Sequence, residues 1–168
     1  MKTKPITKTI TTLLLVLLFF SCNDDKDCCG MYIATFADIS YADSEGNDLL
    51  NPDNDNGYKE ENIDIYRLSA EGEKIKMYDH YLAYPENFKI FYSTISEQYI
   101  LRLFLSPEAG SDDPFVTYFI NFGNGEEDKV EGEIERLPGV ERLIKIWYND
   151  ILVWELEDND LNYFEIVK

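Results

Sequence analysis

The 168-residue chain carries 33 acidic and 15 basic residues, which gives a formal net charge of −18 at pH 7. Such an acidic surface argues against nucleic acid as a partner, because nucleic-acid binding depends on basic side chains that displace counterions from phosphates. Hydrophobic residues make up 45% of the chain and aromatic residues 14%, enough for a folded core, which argues against a disordered chain.

The first 21 residues have the pattern of an export signal. Residues 1–9 contain three lysines and no acid, and residues 10–20 are almost purely apolar. A helix needs about 20 apolar residues to cross a bilayer, so this stretch is too short for a membrane-spanning anchor. We therefore expect residues 1–21 to be a signal peptide that is removed.

The residues that follow the apolar run resemble a lipid-attachment signal. Phe19-Phe20-Ser21-Cys22 resembles the lipobox of bacterial lipoproteins, with Phe19 in a place where that family usually has leucine. Residues 23–27 resemble the acidic export tag of cell-surface lipoproteins of the Bacteroidota. The resemblance implies that Cys22 is lipidated and anchors the protein in the outer membrane, facing outward, with residues 22–30 as an acidic tether. It covers about thirty residues and implies no activity.

Cys28 and Cys29 are the other two cysteines of the chain, and they are adjacent. A disulfide between neighbouring cysteines closes a strained ring, so we expect no such bond and no disulfide framework in the domain that follows. Pairing between two molecules, a free thiol and a second lipid remain alternatives for these two residues.

The longest polar connection, residues 43–60, is the best candidate for a metal site. Oxygen ligands at alternating positions suit calcium. However, Asn56 and Asn62 stand where a helix–loop–helix calcium site requires glycine and glutamate. A plain surface loop uses the same residue types, so we expect no cofactor, with calcium as the alternative. The candidate ligands are Asn51, Asp53 and Asp55.

Residues 31–168 are expected to form one all-β domain. Short runs rich in β-branched and aromatic residues are separated by turn-forming residues, and no segment predicts an amphipathic helix. This spacing indicates an antiparallel β-sandwich, immunoglobulin-like or transthyretin-like in general form. Residues 78–84 fit either one helical turn or an irregular strand. The predicted strands are 32–36, 63–68, 88–92, 99–105, 115–120, 129–137 and the two arms of a hairpin at 143–154.

Acidic residues alternate along the predicted strand 129–137. Glu131, Glu133 and Glu135 fit the solvated face of a strand. Charged residues in such a position guard a strand against edge pairing with another chain.

The hairpin at 143–154 has an Asn149-Asp150 pair between two apolar runs, which favours a two-residue turn. Residues that lie opposite each other in a hairpin share a face of the sheet. The expected pairs are Tyr148 with Ile151, Trp147 with Leu152, and Lys145 with Trp154.

One face of this hairpin would be core, and the other would carry both tryptophans beside a lysine. If that second face is open, it forms a flat platform suited to sugar rings or to a partner protein, and if it is covered it is simply core. The candidate binding residues are Lys145, Trp147, Tyr148 and Trp154.

No pattern in the chain indicates catalysis. His80 is the only histidine, and no nucleophile motif such as Gly-x-Ser-x-Gly occurs. We therefore expect a non-enzymatic accessory module that binds a glycan or a surface protein. The alternatives are a structural subunit of a surface assembly and a small glycan-processing enzyme.

Overall fold

The computed structural model describes residues 30–108, 110–157 and 161–168. Within these residues there are eleven strands, one short 3-10 turn at Glu60–Asn62 and no α-helix. The strands are β1 (Tyr32–Ala34), β2 (Phe36–Ala42), β3 (Asp64–Leu68), β4 (Lys74–Lys76), β5 (Phe88–Ser93), β6 (Gln98–Phe104), β7 (Phe115–Asn121), β8 (Glu127–Leu137), β9 (Val140–Tyr148), β10 (Ile151–Glu155) and β11 (Tyr163–Val167).

The strands form two sheets that pack against each other. The first sheet has seven strands in the order β1-β9-β8-β7-β3-β4, with β10 also paired to β9. The second has four strands in the order β11-β2-β6-β5. The predicted all-β sandwich is thus confirmed.

Both sheets are mixed, whereas a purely antiparallel sandwich was expected. β1 pairs with β9 and β11 pairs with β2 in parallel, and the other pairs are antiparallel. In both parallel pairs the two strands are far apart in the chain. Neither pair is joined by a tight hairpin, the connection that makes neighbouring strands antiparallel. The chain changes sheets directly between β1 and β2, at Thr35, and again between β10 and β11.

The core lies between the inner faces of the two sheets. In β8 buried and partly exposed residues alternate from Asp128 to Glu135, as expected for a strand with one face in the core. Gly132 provides close packing in this strand, since an added Cβ would lie 2.6 Å from Leu143 Cδ2. The largest fully buried side chains are Tyr41, Tyr118, Ile39, Ile63, Ile65, Leu101, Leu103, Leu105, Ile120, Leu143, Ile146 and Val130.

The structure corrects the role expected of the glutamates in β8. Glu131, Glu133 and Glu135 lie on the outer, partly solvated face, as predicted. However, β8 is a central strand between β7 and β9 rather than an edge strand. These glutamates therefore do not guard an edge.

Three further points concern residues 78–84, the cysteines and membrane-spanning helices. Residues 78–84 form neither a helix nor a strand but a series of turns and bends. Cys22, Cys28 and Cys29 lie outside the described residues. No helix in the described part of the chain is both long and apolar enough to cross a bilayer.

Candidate functional site

The hairpin of β9 and β10 has the predicted turn. Asn149 and Asp150 both have positive φ, 47° and 69°, which is the conformation that a two-residue hairpin turn of type I′ requires. The pairs next to the turn are also as predicted, with Ile151 opposite Tyr148 and Leu152 opposite Trp147.

Beyond Leu152 the predicted register is wrong. The register shifts between Leu152 and Trp154, so that Trp154 lies opposite Ile146, and Lys145 lies opposite Glu155. The shift is a β-bulge with Val153 as the extra residue. As a result Trp154 turns into the core, where only 8% of its surface is exposed.

The two tryptophans therefore do not share one surface. Trp147 stays on the outer face of the seven-stranded sheet, whereas Trp154 belongs to the core cluster. Tyr148 is also buried, on the inner face. Of the four predicted binding residues, Lys145 and Trp147 remain together on the outside.

A second aromatic residue takes the place expected for Trp154. The ring of Phe115 lies 6.3 Å from that of Trp147, and 54% of Phe115 is exposed. Strand pairing explains the meeting: Phe115 on β7 lies opposite Glu133 on β8, which lies opposite Lys145 on β9. We call this outer surface the Trp147 platform, formed by Phe115, Glu131, Glu133, Lys145, Trp147 and Leu152.

Charged groups frame the aromatic rings of the Trp147 platform. Lys145 Nζ lies 3.8 Å from Glu133 and 3.5 Å from Glu155. Lys129 lies 2.8 Å from Glu131 and also contacts Asp150. Its hydrogen bond to Asp150, and to a smaller extent the one to Glu131, raises the pKa of Lys129. The platform thus offers both hydrogen-bond donors and acceptors next to apolar rings.

A cleft of about 150 Å³ adjoins the platform and shares Phe115 with it. Its polar wall includes Arg67, Ser69, Glu108, Ser111, Asp113 and Thr117. Arg67 Nη2 is 3.6 Å from the Glu108 carboxylate, and Arg67 Nε is buried without a hydrogen-bond partner in the described residues. Hydroxyl, carboxylate and guanidinium groups around an aromatic rim can hydrogen-bond a polyhydroxylated ligand and pack against its apolar face.

One of the three predicted metal ligands, Asn51, uses its side chain to shape its own loop. The Asn51 side-chain oxygen accepts a hydrogen bond from the Asp53 N–H at 3.0 Å. Asn51 and Asp53 line a polar hollow together with Asn47, Asp48 and Asn54, but Asp55 does not. In the described residues no three His, Cys, Asp or Glu side chains are grouped as metal ligands would be. A calcium site here stays a prediction.

A buried polar cluster lies at the turn end of the β9–β10 hairpin. Asp128, which is 4% exposed, accepts hydrogen bonds from Tyr148 Oη, Lys168 Nζ and Asn149 Nδ2. Burial, together with Tyr41 and the hydrogen bond to Asp128, raises the pKa of Tyr148 far above its usual range. Sequence patterns gave no signal for this cluster, because its members come from distant segments of the chain.

The only histidine is solvent-exposed and stands apart from these groups. The His80 ring lies 3.8 Å from that of Tyr81, in the turns between β4 and β5. That the protein is not an enzyme stays a prediction.

Comparison with protein-family models, with curated proteins and with solved structures finds no match to this chain.

Proposed function

We propose that this chain is a lipid-anchored protein of the outer-membrane surface that binds a neutral glycan without catalysing a reaction on it. The single observation that carries the proposal is the pairing of Trp147 with Phe115 on an outward-facing sheet, beside a polar cleft. Aromatic rings on a flat sheet face offer stacking surfaces, and the polar groups around them supply hydrogen bonds.

Charge favours a neutral glycan over an acidic one. Glu131 and Glu133 lie within the Trp147 platform, and the whole chain carries a net charge of −18. An anionic polysaccharide would approach against this field. A neutral sugar can accept a hydrogen bond from Lys145 and donate others to the two glutamates.

A non-catalytic role fits the ion pairs that Glu131 and Glu133 form with neighbouring lysines. Glu131 is held by Lys129, and Glu133 lies beside Lys145. Carboxylates engaged in this way serve as fixed hydrogen-bond acceptors. Cleavage of a glycosidic bond would need two carboxyl groups placed on either side of the bond, at a defined separation.

Tryptophan fluorescence tests glycan binding, since the chain has only two tryptophans. In the full chain, solubilised in detergent, Trp154→Phe leaves Trp147 as the only emitter, and Trp147→Phe leaves Trp154. Titration with neutral polysaccharides should quench or shift the emission of Trp154→Phe and leave that of Trp147→Phe unchanged.

Glu133→Gln serves as a matched probe of the platform, because the amide keeps the shape but loses the charge. We expect weaker glycan binding and an unchanged fold. The proposal fails if no neutral polysaccharide changes the Trp147 signal, or if Phe115→Ala and Glu133→Gln both bind as the wild type does. Capture of a protein instead of a glycan would favour the protein-binding alternative.

The proposed location depends on Cys22. If the resemblance to lipoprotein signals is correct, the mature protein isolated from its native cells begins at Cys22 and carries acyl chains there. Mass spectrometry of the N-terminal peptide measures this directly. Cys22→Ala should release the protein from the membrane fraction, and an unmodified N-terminus would contradict the proposal.

A further inference from the structure

Strand β5 forms an open edge of the four-stranded sheet. It is the outermost strand, and all six of its residues, from Phe88 to Ser93, pair with β6 in an unbroken register. The other edges are less suited to further pairing: β1 and β4 have three residues each, β10 contains the bulge at Val153, and β11 has five residues and carries the acidic Glu165. A long, regular, apolar edge is a template for pairing with another chain.

The hydrogen-bond pattern shows which backbone groups of β5 face this edge. The Phe104 N–H donates to the Asn87 carbonyl, while the Leu105 N–H donates to Thr35 in the opposite direction. Because backbone groups alternate in direction along a strand, the N–H and C=O of Phe88, Ile90 and Tyr92 point away from β6. Among the described residues, no hydrogen bond reaches these groups from that side.

Lys89 is the only charged residue in β5, and a lysine can protect an edge strand. Here its ammonium lies 5.0 Å from the ring centroids of both Tyr84 and Phe91. Both contacts hold the Lys89 ammonium over the outer face of the sheet, so it does not block the backbone groups along the edge.

We propose that β5 pairs with β5 of a second copy of this chain, antiparallel about a two-fold axis at Ile90. This proposal is independent of glycan binding. In this register Ile90 lies opposite Ile90 of the second copy, and Phe88 lies opposite Tyr92, so every outward N–H and C=O named above gains a partner.

Charge complementarity supports this register. Lys89 lies opposite Phe91 of the second copy, twice by symmetry, so that each ammonium meets an aromatic ring rather than another ammonium. A shift by two residues in one direction would place Lys89 opposite Lys89. A shift by two in the other direction would leave the outward groups of Phe88 unpaired.

Two substitutions at one position test the proposal. Phe91→Lys places a lysine opposite Lys89 of the second copy, and Phe91→Glu places an acid there, while both remove the same ring. Sedimentation equilibrium of the full chain, in a detergent whose density matches the solvent, measures association. We expect the wild type to form dimers, Phe91→Lys to dissociate about tenfold more readily, and Phe91→Glu to associate at least as tightly as the wild type.

A third variant, Ile90→Pro, removes an outward N–H and no hydrogen bond to β6. It should weaken the dimer while circular dichroism shows the same strand content. The proposal is overturned if the wild type is monomeric at about 100 μM chain concentration. It is also overturned if Ile90→Pro dimerises as the wild type does, or if Phe91→Lys and Phe91→Glu have equal effects.

Discussion

Asp128 is the residue on which the polar end of the sandwich depends. It belongs to β8 and holds Tyr148 of β9, while Lys168 reaches it from just beyond β11 in the other sheet. Tyr41 of β2 adds a contact of 3.3 Å to the Tyr148 hydroxyl. Since these groups come from both sheets, their hydrogen bonds fix how the sheets meet at this end.

Replacing Asp128 with asparagine should destabilise the fold. The amide keeps the shape but cannot satisfy the hydroxyl, the amide and the ammonium that the carboxylate now holds. We expect a loss of about 1–3 kcal/mol in the free energy of unfolding, the usual cost of unpaired buried polar groups. Urea denaturation followed by fluorescence measures this loss.

Glu126→Gln, at the exposed rim of the same cluster, should change stability by less than about 0.5 kcal/mol. Equal effects of the two substitutions would contradict this role for Asp128.

The buried tyrosines predict a loss of stability at alkaline pH. Burial raises the pKa of both Tyr41 and Tyr148 above the value of 10.0 that an exposed tyrosine has. A folded-state pKa above the unfolded one means that the stabilisation is complete below pH 10 and is lost as the pH rises further. We expect the melting temperature to fall steeply from about pH 10 upward.

Tyr148→Phe provides the control for the alkaline transition, because it removes the buried hydroxyl and leaves the exposed tyrosines. Its melting temperature should start lower at neutral pH and fall less steeply between about pH 10 and pH 11. A parallel fall in the two proteins would assign the transition to other groups.

At the scale of elements, the hairpin shows how one extra residue moves a side chain to the other face. If Val153 were paired with Ile146 in a regular ladder, Trp154 would lie opposite Lys145 on the outer surface. With Val153 as an extra residue, Trp154 lies opposite Ile146 in the core. A second irregularity, between Glu133 and Ile134 in the pairing of β8 with β9, lies close by. This second irregularity leaves Ile144 as an extra residue of β9, which allows Leu143 and Ile146 both to be buried although they are three residues apart.

Deleting Val153 tests the bulge. The remaining residues can form a regular ladder in which Trp154 still lies opposite Ile146, so Trp154 should stay buried. In a Trp147→Phe background we expect blue-shifted emission before and after the deletion, with a loss of about 1–2 kcal/mol in unfolding free energy. A red shift of the Trp154 emission in the deletion variant would show that Val153 is not the extra residue.

Local sequence patterns predict the strands that are rich in β-branched and aromatic residues. They miss the strands that form only because they pair with another strand. β5, β6 and β7 were expected within one residue of their observed bounds, because each is a β-branched and aromatic run closed by turn residues. β4 was missed, since Lys-Ile-Lys has no distinctive pattern and is fixed by pairing with β3. The parallel pairing of β11 with β2 brings together residues more than one hundred positions apart, which no local pattern encodes.

The same limit applies to the candidate site. Trp147 and Lys145 could be named from the hairpin alone, because the turn fixes the first pairs. Phe115 and Glu133 could not, since they join the platform only through the pairing of β7, β8 and β9. Trp154 was misplaced because a bulge depends on packing across neighbouring strands rather than on local sequence.

At the scale of the whole molecule, charge opposes folding. Even if each of the 15 basic residues paired with one acid, 18 of the 33 acids would remain without a partner. Ion pairs such as Lys76 with Asp64 lie at the surface, where each contributes little. The net effect of charge is therefore repulsion among carboxylates in the compact state.

Added salt should accordingly stabilise the protein. Raising NaCl from about 10 mM to about 150 mM shortens the Debye length from about 30 Å to about 8 Å, which screens repulsion between distant acids. The same salt weakens the surface ion pairs, but these are outnumbered by the excess acids, so the free energy of unfolding should rise. Thermal denaturation at a fixed chain concentration measures the change.

A charge-reduced variant with Glu45→Gln, Asp55→Asn and Glu71→Gln, all at exposed positions, should be more stable at low salt and respond less to NaCl. A fall in stability with salt would mean that ion pairs outweigh the excess negative charge.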